Sequence, residues 1–94
     1  MAENVDEISV NYEEDGVLLV KELGKEILSK GAWATILFRY QDYDKTTQQY
    51  SPEKYTIRRY QKRNGQYQVK SKFIISGEAQ ARKIIEALSQ WLAP

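Results

Sequence analysis

The sequence predicts an α+β domain, ββββα, in which four or more antiparallel strands precede one C-terminal amphipathic helix. Three observations predict it. Asn64-Gly65 lies between two stretches of strand character, Lys54–Arg63 and Gln66–Ile75. Both central residues of a two-residue type I′ hairpin turn need positive φ, and Asn-Gly accepts it cheaply. Trp33–Tyr43, WATILFRYQDY, is rich in β-branched and aromatic residues, as strands are. Ala81, Ile84, Ile85, Leu88, Trp91 and Leu92 recur at helical spacing and form one apolar stripe.

A chain of 94 residues has room for one core. Residues 16–94 are expected to form it, with residues 1–15 as an acidic, flexible N-terminal tail. The tail carries Glu3, Asp6, Glu7, Glu13, Glu14 and Asp15 and no cation. With a net charge of +1 overall, residues 1–16 sum to −6 and residues 17–94 to +7. Two roles are open to such a tail: occluding the basic face, or simply aiding solubility. The second needs fewer assumptions. Within the tail, Ile8–Tyr12 alternates and is compatible with an added edge strand.

Val17–Leu28 admits two readings. As a helix it has no clean stripe and carries Gly24 in its interior. As strand it divides at Gly24 into VLLVKEL and KEIL, with the glycine at a turn or bulge, and this reading is favoured. Lys30-Gly31 then turns the chain into Trp33–Tyr43. One face of that strand carries Trp33, Thr35, Leu37, Arg39, Gln41 and Tyr43 and the other Ala34, Ile36, Phe38, Tyr40 and Asp42; the first half is apolar on both faces and the second half is wet, so the strand starts in the core and runs out to the surface. Asp44–Glu53 is a polar loop with a proline and is expected to be the long mobile connection.

In the hairpin, a turn at Asn64-Gly65 sets Arg63 opposite Gln66. Continued unbroken, that register sets Tyr60 opposite Val69, Thr56 opposite Phe73, and Arg59 opposite Lys70. Like charges across a ladder destabilise it, which makes more sense if a polyanion lies over them; the alternative is that both side chains splay into water. Ser76 is the expected N-cap of a helix over Ser76–Leu92, with Glu78 near the positive end of its dipole. That helix is expected to pack on the sheet and supply much of the core.

The chain has no cysteine and no histidine. Disulfides, thiolate metal sites, the commonest zinc ligands and the histidine general base are therefore excluded. Gly24-Lys25 and Lys30-Gly31 do not complete a phosphate-binding loop. Asp42 and Asp44 read as loop acids. No enzyme activity, cofactor or metal is expected. No apolar run approaches the ~20 residues that span a bilayer. The N-terminus lacks the basic region of a signal peptide, so a cytoplasmic protein without membrane contact is expected.

Residues 54–72, KYTIRRYQKRNGQYQVKSK, hold seven of the 14 Lys and Arg residues, three tyrosines and no acid. Cations neutralise a phosphate backbone, and an aromatic ring stacks an exposed base for ~1–3 kcal/mol. The candidate nucleic-acid-binding residues are Tyr55, Arg58, Arg59, Tyr60, Lys62, Arg63, Tyr67, Lys70 and Lys72, extended by Arg39, Tyr40 and Tyr43 from the preceding strand. Trp33 and Trp91 stand in apolar contexts and read as core. The competing function is a protein-interaction module without nucleic-acid binding, using a sheet edge or the helix stripe. A homodimer is expected because Trp33, Ile36, Phe38, Trp91 and Leu92 exceed what one helix and one sheet can cover.

The order of elements resembles the core of the positive cofactor four type of transcriptional coactivator over about residues 17–92. FRYQDYD with its polar loop carries the resemblance, together with KFIISGEAQARKIIEAL, a strand passing through serine into a helix. The long hairpin around Asn64-Gly65 departs from the shorter strand of that pattern. The resemblance implies a curved four-stranded antiparallel sheet followed by a helix. It also implies a homodimer that binds single-stranded DNA on basic and aromatic strand residues.

Overall fold

Two Asx-Gly pairs set the hairpins of the sheet. In a computed structural model, which describes residues 3–94, Asp15 and Gly16 take φ of 52° and 79°, and Asn64 and Gly65 take 54° and 79°. These left-handed pairs are the two-residue turns whose twist matches that of paired strands. The first joins β1 (Tyr12–Glu14) to β2 (Val17–Ser29). Strand β3 (Trp33–Asp44) follows, then the short β4 (Gln49–Tyr50). The second turn joins β5 (Lys54–Arg63) to β6 (Gln66–Ile75), and α1 (Glu78–Leu92) ends the fold. The sheet is antiparallel throughout, in the order β1-β2-β3-β5-β6, with β4 paired to the end of β3. A curled antiparallel sheet followed by one C-terminal helix is thus the architecture. No described helix is long and apolar enough to cross a membrane.

Residues 17–29 are one strand, interrupted as a glycine at its middle suggests. The register against β3 shifts between Glu22 and Gly24 and again between Ile27 and Ser29. Each bulge bends its strand and adds twist, which curls the sheet. Asp44–Glu53 differs from the free connection expected of it. Asp44 Oδ1 accepts from Thr46 N at 2.8 Å, Gln48 adopts φ 58°, and Tyr50 returns opposite Tyr43. The polar residues are those of a tight turn, and the loop is a short β-ribbon.

Opposed residues share a face, so the register divides the sheet into two sides. Ala34, Ile36, Phe38 and Tyr40 of β3 stand opposite Tyr60, Arg58, Thr56 and Lys54 of β5. This is the core face, and its Ala34, Ile36, Phe38 and Thr56 are fully buried. What covers them is the N-terminal segment, through Val5, Ile8 and Val10. The expectation of a flexible tail fails for its described part. A 3-10 turn at Val5–Glu7 is closed by reciprocal contacts between Asn4 and Glu7. Lys25, on the core face, donates from Nζ to the carbonyls of Val5 (2.8 Å), Asp6 (3.1 Å) and Ile8 (2.6 Å). Glu22 Oε1 accepts from Ser9 Oγ at 2.8 Å, and Asn11 Oδ1 accepts from Glu22 N at 2.7 Å. Polar side chains of β2 therefore satisfy the backbone of an irregular segment, and three apolar side chains seal the core.

The helix behaves oppositely. It begins at Glu78 with Gly77 as its cap, and Ser76 N donates instead to Gln80 Oε1 at 3.0 Å. It lies over the other face of the sheet, yet none of its residues is buried. Trp91 and Leu92 are 75% and 80% exposed. The expectations that α1 supplies the core, and that Trp91 belongs to it, are corrected accordingly. Between Ala81, Ile84 and Leu88 of the helix and Leu37, Tyr55 and Ile57 of the sheet lies an apolar cleft of about 670 Å³. The radius of gyration, 15.1 Å, exceeds the roughly 12 Å expected of a closed domain of this length.

Candidate nucleic-acid interface

The β5–β6 hairpin forms where the sequence placed it, but its register slips once. From Arg63 opposite Gln66 to Tyr60 opposite Val69 the pairing is regular. Between Arg59 and Tyr60 it shifts by one residue, so that Arg59 faces Ser71, Arg58 faces Lys72 and Thr56 faces Ile74. Lys70 is the extra residue of a bulge in the edge strand. The unbroken register predicted for the hairpin is therefore wrong below Tyr60. The like-charge pair across the ladder is Arg58 with Lys72, not Arg59 with Lys70.

The slip decides which candidates meet. On the core face it gathers Arg58, Tyr60, Lys62, Tyr67 and Lys72, beside the half-exposed Val69 and Ile74. Lys62 Nζ lies 5.5 Å from the centroid of the Tyr67 ring, within cation–π reach. On the helix face it places Arg59 and Tyr55, the latter opposite Arg39. Arg63 flanks the turn, and Tyr43 stands at the far end of β3. Ten residues separate Tyr43 from Trp33 along that strand, roughly 30 Å at ordinary strand rise. The twelve candidates are thus not one continuous surface.

The tyrosines are where the expectation fails most. Tyr40, Tyr60 and Tyr67 are 5%, 6% and 7% exposed. The Tyr67 hydroxyl donates to the Gly31 carbonyl at 2.5 Å, which ties the hairpin to the β2–β3 turn. Burial raises the pKa of Tyr60, partly offset by the charge of Arg58, and burial raises that of Tyr40. None of these three rings offers a face to a base. Tyr55 lines the cleft under the helix, and Tyr43 packs edge-on against Tyr50 with centroids 5.1 Å apart. The physical reason is simple: alternation puts Tyr60 and Tyr67 on the face that the N-terminal segment seals.

Trp33 supplies what the tyrosines do not. It was expected in the core, but it is 41% exposed at the end of β3, and the Arg59 guanidinium lies 4.5 Å from its ring centroid. A pattern rich in apolar residues gave no hint of this, because alternation puts Trp33 on the face away from the N-terminal segment, beyond the cleft that the helix lines. A third cation–aromatic pair, Lys21 over Tyr50 at 5.2 Å, sits at the opposite end of the sheet.

Charge pairing separates the cations. Arg39 is held by Glu53 at 3.3 Å and Lys54 by Asp42 at 3.0 Å. The other described ion pair, Glu78 with Arg82, lies within the helix. Among the described residues, Arg58, Arg59, Lys62, Arg63, Lys70 and Lys72 therefore have no carboxylate within salt-bridge distance. Six unneutralised cations on one two-stranded ribbon repel one another, and an anionic partner relieves that repulsion. No family model, curated protein or solved structure matches this chain.

Proposed function

We propose that this chain binds single-stranded DNA or RNA along the β5–β6 hairpin and serves as a transcription or replication accessory factor. The observation that carries the reading is the set of six hairpin cations without carboxylate partners. Affinity then comes chiefly from phosphate contacts, with Trp33 under Arg59 as the aromatic element, and not from tyrosine stacking. The resemblance to single-stranded-DNA-binding coactivators points the same way.

The working form in this reading is a homodimer. One surface carries both the bare helix end, with Trp91 and Leu92, and an apolar cleft beside it. A surface holding both a ridge and its receptor suits a two-fold pair, in which each copy fills the other's cleft. Ile36 and Phe38, once part of the case for a dimer, contribute nothing to it, since the N-terminal segment already buries them.

Fluorescence anisotropy with labelled single-stranded and duplex oligonucleotides at ~50 mM salt, where phosphate contacts are strong, tests the function. Binding of the single strand, tighter than of the duplex, is expected. Indifference to both overturns the reading and favours a protein-interaction module built on the exposed helix.

A further inference from the structure

The N-terminal segment and the hairpin enclose an open groove of about 550 Å³ on the core face. Its volume falls within the range of sites that hold small molecules. Ile8 and Val69 make apolar sides, Tyr60 and Tyr67 form the floor, and Arg58 reaches in from β5. Arg58 Nε is buried and has no hydrogen-bond partner. A buried donor on a charged group is costly to leave unpaired; the Tyr60 hydroxyl engages the Arg58 guanidinium, but no carboxylate neutralises it. Glu7 also lines the groove, but its Oε1 accepts from Asn4 N at 3.1 Å and Glu3 N at 3.3 Å. Lys72, opposite Arg58 in the ladder, adds a second positive charge on the same face.

Building on the strand-binding reading, we infer that this groove is a pocket for one nucleotide of a bound strand. Arg58 takes the phosphate, and the base rests against Ile8 and Val69. A guanidinium offers a forked pair of donors that suits a phosphate, and burial strengthens the contact. An unpaired nucleotide can turn its base into such a groove, whereas a stacked duplex keeps its bases inside. The N-terminal segment then does more than seal the core, because it forms one wall of the site.

The test uses the full chain and adenosine 5′-monophosphate, followed by NMR at the Arg58 Nε–H and the amides of Ile8, Ser9 and Val69. Saturable shifts at these positions are expected, with adenosine and inorganic phosphate each binding more weakly. Arg58→Gln should weaken the nucleotide tenfold or more, the lower end for a lost charged hydrogen bond, while Lys45→Gln, remote from the groove, changes it less than twofold. If Arg58→Gln does not fold, Val69→Glu, which sets a carboxylate at the exposed rim, should produce the same loss. Unmoved groove signals, or an affinity indifferent to these variants, overturn the pocket. Oligothymidylate binding without groove shifts overturns the pocket alone and leaves strand binding standing. Failure of both ligands overturns both.

Discussion

The N-terminal segment and the C-terminal helix lie on opposite faces of one sheet, and they cover those faces very differently. The segment is short, acidic and mostly irregular, yet it buries Val5, Ile8 and Val10. The helix has 15 residues and a continuous apolar stripe, yet it buries none. The difference lies in anchoring. Lys25, Glu22 and Asn11 fix the backbone of the segment to β2 at many points, while the side-chain hydrogen bonds at the start of the helix stay within Ser76–Gln80 and an apolar cleft separates the helix from the sheet. Apolar content sets how much a region gains from a partner. It does not determine whether the partner lies within the same chain.

The largest effect that sharpens this contrast is Ile8→Ala. Removing a buried isoleucine costs about 2–5 kcal/mol, read from denaturant unfolding. Ile85→Ala on the exposed helix should change the unfolding of the dilute protein by less than about 0.5 kcal/mol. Equal losses from the two substitutions would erase the distinction. Lys25→Ala comes next, at about 1–3 kcal/mol, because three carbonyls lose their shared donor. A loss no larger than that of an exposed lysine would show that the segment holds by its apolar contacts alone.

An alkaline effect follows from the sealed face. Tyr60 and Tyr40 titrate above the ordinary 10.0 when folded, chiefly through burial. The folded state thus keeps their protons where the unfolded state releases them. Their contribution is full below the unfolded value and is lost as pH rises through the folded one. Stability should fall as pH rises above about 10, less steeply in Tyr60→Phe. The smallest effect on unfolding belongs to Leu92→Ser, but it should remove the dependence of the thermal midpoint on protein concentration that a dimer confers. A midpoint independent of concentration in the unaltered chain would contradict the dimer.

Much of the architecture was legible because local chemistry dictates it. Asn64-Gly65 demands its turn, Trp33–Tyr43 is rich in β-branched and aromatic residues, and Ala81–Leu92 repeats at helical spacing. What was hidden depends on contacts between distant residues. Ile8 and Val10 alternate, but neither they nor Val5 reveal which surface they cover, and their burial rests on Lys25 and Glu22. The bulge at Lys70 breaks a pattern that alternation assumes to be continuous, and the consecutive apolar Phe73-Ile74-Ile75 was the available sign that β6 does not simply alternate. Of the candidate site, the cations of the hairpin were found but the fate of its tyrosines was not. Tyr60 and Tyr67 look alike in sequence whether their face is open or sealed, and only the N-terminal segment decides which.

The most direct test of the central claim, that unpaired hairpin cations hold a phosphate backbone, is the salt dependence of oligothymidylate binding. For single strands, log K falls against log salt with a slope of about −0.7 per phosphate neutralised. Engagement of four to six cations predicts a slope of about −3 to −4, and each of Arg59→Gln and Lys72→Gln should flatten it by somewhat less than about 1. A slope near zero, or one that these substitutions leave unchanged, would contradict the account.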